Sequence, residues 1–287
     1  MNDKLKTNGL LIAGIAVLSA FAALSGILSN DGPGNYHHTS VRGEEVLIYG
    51  KGIYKDMAAE LAPQGIAQDY VTLFVGIPLL IFSFFLARKG SLRGLFLLSG
   101  TLGYFLVTYL FYTAMGMYNA LFLVYVSLLG LSFFAFLQSL LTFNLENLPG
   151  KFSEKTPVKF AGGFLLVNTL GIALLWLSVV VPPLLDGTIY PAGLDHNTTM
   201  IVQGFDLGLL LPLAFVAGWL YLKRKPLGYL GGPVYLVFLC ILMTALVAKI
   251  IAIAQGGVNL GPVLVIIPAF LGLSITGTWL SLRSIKH

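Results

Sequence analysis

The chain has 287 residues, 57% of them hydrophobic and only 10% charged. A soluble domain carries about 25% charged residues, so this composition excludes an ordinary water-covered globule and points to lipid as the main solvent. The formal net charge of +5 would suit nucleic acid if the basic residues clustered on one surface, but they are spread along the chain in short groups between apolar runs, and no nucleic-acid partner is expected.

Eight apolar runs follow one another, each close to the 20 residues needed to cross a hydrocarbon core about 30 Å thick. They lie near Gly9–Ser29, Gln68–Ala87, Gly94–Met115, Ala120–Phe143, Phe160–Val181, Met200–Leu222, Tyr229–Ala252 and Gly261–Leu282. The expected fold is all-α, a single polytopic transmembrane helix bundle over residues 1–287. Glycines and prolines within the runs do not argue against helices, because lipid offers the backbone no other partner short of a closed barrel. The first run follows Lys4 and Lys6 and contains Ala20-Phe21-Ala22, which also fits a signal peptide. Its length of about 20 exceeds the 7–15 residues of a signal core, so an uncleaved first helix is expected; cleavage would leave seven spans.

Basic residues set the orientation. Lys4, Lys6, Arg88, Lys89, Arg93, Lys151, Lys155, Lys159, Lys223, Arg224, Lys225, Arg283 and Lys286 all fall on one side. Arg42, Lys51, Lys55 and Lys249 fall on the other. The positive-inside rule places the first set, and both termini, in the cytoplasm, with the cytoplasmic membrane of a prokaryote as the expected location.

The long loop, residues 30–66, lies on the outer side. It opens with the turn sequence Asp31-Gly32-Pro33-Gly34 and carries His37-His38, read as solvated rather than as a metal site. Tyr54 to Leu61 is expected to form a short surface helix. No phosphate loop, dinucleotide fingerprint, zinc helix or nucleophile elbow is present, so no cofactor or metal is expected. The lone Cys240 reads as a packing residue. No internal repeat is obvious.

Polar residues inside the spans carry what functional signal there is, because a mid-bilayer charge costs at least about 2.5–3.5 kcal/mol. Counting 1.5 Å per residue from the basic rim puts Asp69 and Lys249 near the outer edge and leaves Asp206 as the best embedded charge. His196, Thr199, Gln203 and Asp206 are spaced three, four and three apart, which would align them on one helix face. Thr101, Tyr104, Thr108 and Tyr112 form a similar stripe, as do Gln64, Gln68 and Thr72; a packing role is the simpler reading of both. Gln68, Asp69, Tyr112, Asn119, His196, Thr199, Gln203, Asp206 and Lys249 all fall in the outer half, and an outward-opening pocket between spans two, three, four, six and seven would collect them. Asp206 should face other helices, with Gln68, Tyr112 or Lys249 as its partner.

Two stretches carry a resemblance. Gly52-Ile53-Tyr54 with Gln64-Gly65-Ile66-Ala67-Gln68-Asp69, and Leu194-Asp195-His196-Asn197-Thr198-Thr199 leading to Asp206-Leu207-Gly208, resemble segments of an uncharacterised family of bacterial multi-pass membrane proteins. The resemblance covers most of the chain and implies the fold, not an activity. Three functions fit the residues: binding or transport of a small solute or ion, a membrane-embedded enzyme acting on a lipid or lipid-linked substrate from the outer leaflet, and a sensor or accessory subunit of a membrane complex. Membrane lipids are expected partners of each.

Overall fold

The computed structural model describes residues 2–191, 193–257 and 260–286, with side chains from Gly9 onward. Eight helices are long and apolar enough to cross a membrane: α1 (Gly9–Leu28, continuing back to Asn2), α2 (Ala62–Arg88), α3 (Leu92–Ala114), α4 (Phe122–Leu140), α5 (Val158–Asp186), α6 (Ile201–Leu222), α7 (Pro226–Gln255) and α8 (Val263–Arg283). This is a multi-pass membrane protein. Its basic turns lie at one end (the inner end) and the long loop at the other (the outer end). His287, expected on the inner side, lies outside the described residues.

A repeat that is not obvious in the sequence relates α2 and α3 to α6 and α7, which hold the same places in two four-helix halves, α1–α4 and α5–α8. A five-residue π turn interrupts α2 at Thr72–Gly76 and α6 at Asp206–Leu210. The α-helix resumes at Ile77 and Leu211, and the next helices start at Leu92 and Pro226. Each of these counterparts in α6 and α7 stands 134 positions later. The cause is local: Pro78 and Pro212 lack an N–H and crowd the carbonyl four residues before them, which widens the preceding turn. Further on, the turns at Lys89 and Lys223 are so tight that a side chain on Gly94 or Gly228 would strike Leu86 and Leu220, again counterparts. With four crossings each, the halves run in the same direction.

The halves meet where α3 packs on α7. A Cβ on Gly100 would lie 2.8 Å from the Val234 carbonyl, and Val234 is the counterpart of Gly100. A position that packs on its own counterpart marks a pseudo-twofold axis, here along the membrane normal. Around this axis the packing is unequal. In the first half α2 lies against α7; in the second, α6 meets α3 mainly where Phe205 rests on Phe111, ring centroids 5.8 Å apart.

The outer loop differs from expectation. Tyr36–Thr39 (β1) and Glu45–Ile48 (β2) form an antiparallel hairpin, unread in the sequence because its side chains are mostly polar and exposed. Tyr54 to Leu61 is not a helix. Gly52–Tyr54 makes one 3-10 turn, and the next residues pair with the hairpin, Ala59 N–H donating to the Leu47 carbonyl at 2.8 Å. Arg42, at the hairpin tip, donates to the carbonyls of Asp195 and Asn197, so the loop of the first half latches onto the second.

The two ends give a direct topological expectation. In a Cys240→Ala background, single cysteines at Gly90, Lys155 and Arg224 should react with an impermeant thiol reagent only from the inner side. Cysteines at His38, Gly116, Gly187 and Gly257 should react only from the outer side. Two or more reversed positions would overturn the eight-span arrangement.

Candidate functional site

Both Asp69 and Asp206 lie within membrane spans, and Asp69 is the more deeply buried inside the protein. Asp69 lies seven residues into α2, about 10 Å below its outer end at 1.5 Å per residue, and is only 3% exposed. Four elements close over it. Tyr112 of α3 donates to Oδ1 at 2.9 Å, and Tyr54, from the outer loop, donates to Oδ2 at 2.5 Å. The two hydroxyls are 3.2 Å apart. Gly26 of α1 lies so close that any Cβ there would fall on the carboxylate. Lys249 of α7 interacts with the same charge through space.

Tyr54 reaches this position because the chain makes a left-handed turn at Gly52 (φ +57°), where a Cβ would collide with the Ser29 carbonyl. Ser29 Oγ also accepts from Ile53 N–H at 2.9 Å. The 3-10 turn is thereby pinned to the end of α1 with its tyrosine pointing inward. Burial first, and the facing Asp69 charge second, push the Tyr54 hydroxyl well above the usual tyrosine range, so it stays protonated and acts as the donor.

A second polar layer supports the first. Gln68 Nε2 donates to Tyr104 Oη at 2.7 Å, and Thr72 Oγ1 is 2.8 Å from the same hydroxyl. Tyr125 stacks on Tyr112 with centroids 5.1 Å apart. The stripes around Gln68 and Tyr112, read first as packing, thus face one another across α2 and α3.

Asp206 does have a partner, but not one of those expected. Trp176 of α5 donates its indole N–H to Oδ2 at 2.7 Å, and the acid is half-buried. Tyr112 bonds Asp69 and Lys249 interacts with it through space, while Gln68 bonds Tyr104. The repeat explains both acids: Asp206 occupies the position of Thr72, and Gln203 that of Asp69. The halves carry an acid and a neutral polar residue one turn apart, in opposite order. Asp69 is buried because α2 docks on α7; Asp206 is less so because α6 does not dock as closely on α3.

The remaining residues lie apart. Helix α6 begins at Ile201, after a non-helical Met200, so His196 and Thr199 do not extend the Asp206 face. His196 Nε2 is 3.1 Å from the Asp56 carbonyl in the outer cap, and Thr199 is exposed. Asn119 Oδ1 accepts from Leu121 N–H at 2.9 Å, closing the α3–α4 hairpin. Sequence reading missed Tyr54, Trp176 and Gly26. Each meets its acid from a part of the chain remote in sequence, and no local pattern marks them; the spacing Pro78, Lys89, Gly94 repeated as Pro212, Lys223, Gly228 signals the repeat only. Comparison with family models, curated proteins and solved structures finds no match to this chain.

Proposed function

We propose that this protein is a proton-coupled carrier of a small solute or ion, in which Asp69 exchanges a proton with the outer side and Tyr54 is the movable cover. The observation that carries the reading is the packing of Asp69. Both its oxygens are held by tyrosines, and Gly26 leaves no volume beside it. The ion that can join such a carboxylate without rebuilding the site is a proton. Intramembrane acids in such settings are commonly part of proton or ion pathways, and π turns like the one next to Asp69 recur at functional positions.

A proton on Asp69 would cancel the charge that holds two hydroxyl donors. Tyr54 belongs to the outer loop, so weakening its bond frees a path from outside. Two like-oriented halves joined at one axis, with α2 docked and α6 less so, supply a pair of packings between which a carrier can switch.

Infrared pH-difference spectroscopy on the purified protein tests the acid. A buried-carboxyl C=O band should titrate, disappear in Asp69→Asn, and persist in Asp206→Asn. An unchanged band in Asp69→Asn would remove Asp69 from the proposal.

A further inference from the structure

Two cavities adjoin at the inner start of α3. The first, about 820 Å³, lies between α2, α3, α7 and α8. Its walls include Leu86, Leu97 and Ile275, and Arg93 and Arg283 line its inner end. Ile275 and Trp279 are 52% and 54% exposed, which opens the cleft sideways to the membrane. The second, about 490 Å³, sits at the inner surface and is lined by Arg93, Lys151 and Lys286 together with Asn144 and Asn147. Ser91 and Arg93 line both. No Asp or Glu lines either cavity.

Arg93 is fixed in place. Its Nε donates to the Leu282 carbonyl at 3.1 Å and its Nη2 to the Ile285 carbonyl at 2.7 Å. Nη1 makes neither of these bonds. Arg283 lies over the Trp279 ring, 5.0 Å from its centroid, and so is held at the mouth of the cleft. An apolar, laterally open cavity joined through arginine to a basic, polar one has the polarity profile of a phospholipid. The larger volume falls within the roughly 300–1,000 Å³ of small-molecule pockets. Arginine forks match phosphate oxygens better than lysine does.

We propose that the paired cavities bind one acidic phospholipid from the leaflet at the basic end. Its acyl chains lie in the α2–α3–α7–α8 cleft and its phosphate between Arg93 and Arg283, with the headgroup toward Lys151 and Lys286. The site is independent of Asp69 and lies at the opposite end of the bundle.

The rest of the basic rim supplies a control. Lys223 lies over the Trp219 ring, 4.8 Å from its centroid, which copies the Arg283–Trp279 pair, and neither residue lines either cavity. The test uses the full chain in phosphatidylcholine vesicles that contain a small fraction of phosphatidylglycerol or phosphatidylcholine with brominated acyl chains. The Trp279 signal is taken as the difference between wild type and Trp279→Phe, and the Trp219 signal likewise. Brominated phosphatidylglycerol should quench Trp279 severalfold more than brominated phosphatidylcholine does, and Trp219 equally with either lipid. Arg283→Gln should abolish the excess, and Lys223→Gln should leave it. Equal quenching of Trp279 by both lipids, an excess that survives Arg283→Gln, or an excess lost on Lys223→Gln would each overturn the proposal; the last would assign the effect to diffuse surface charge.

Discussion

Gly26→Val should be the most damaging single substitution in the outer half, lowering stability by about 3–5 kcal/mol, the cost of breaking a buried charge arrangement. The first carbon of any side chain at this position would occupy the place of the Asp69 carboxylate. The carboxylate cannot step aside, because Tyr54 and Tyr112 hold both oxygens. Either α1 separates from α2, or Asp69 loses its donors inside the bundle; overpacking alone costs about 1–3 kcal/mol. Gly163→Ala in α5 is the matched control, since a Cβ there meets nothing within 4 Å. It should be neutral or slightly stabilising, as alanine is the better helix former by up to about 1 kcal/mol. Thermal unfolding in detergent measures both. A Gly26→Val protein as stable as Gly163→Ala would show that α1 does not pack on Asp69.

The spans were legible because lipid forces long apolar helices, and most observed ends lie within a few residues of those read from the sequence. The start of α2 was not. It begins at Ala62, six residues before Gln68, because its first turns carry Gln64, Gln68 and Asp69, whose polarity is satisfied by α3 and the outer loop rather than by water. The depth count placed Asp69 near the outer edge and was sound as a distance; burial depended instead on Tyr54, Gly26 and α7, which come from remote parts of the chain. Asp206 was singled out by its depth along its own helix, a measure blind to the remote residues that close over Asp69. The repeat escaped notice because little more than the residues enforcing its geometry is shared: a proline that widens a turn, a lysine at the helix end, and a glycine that lets two helices meet. The hairpin at Tyr36–Ile48 lacks the apolar alternation that marks a strand in a soluble core.

Falling pH should open the Tyr54 cover, and this effect should be large. An ionised Asp69 accepts two hydroxyl bonds, and a hydrogen bond to a charged group contributes about 1.5–3 kcal/mol. A proton on the carboxylate weakens both, and about 1.4 kcal/mol already changes the closed-to-open ratio tenfold. Asp69→Asn imitates the protonated state at any pH, and Tyr54→Phe removes the cover's own bond. Spin labels at Lys55→Cys in the cover and Tyr118→Cys in the α3–α4 turn, in a Cys240→Ala background, report the separation by pulsed electron–electron resonance. At neutral pH the wild type should give one short, narrow distance, and acidification should add a longer population. Asp69→Asn should show the longer population already at neutral pH. A single distance, the same at both pH values and unchanged in Asp69→Asn, would contradict the account.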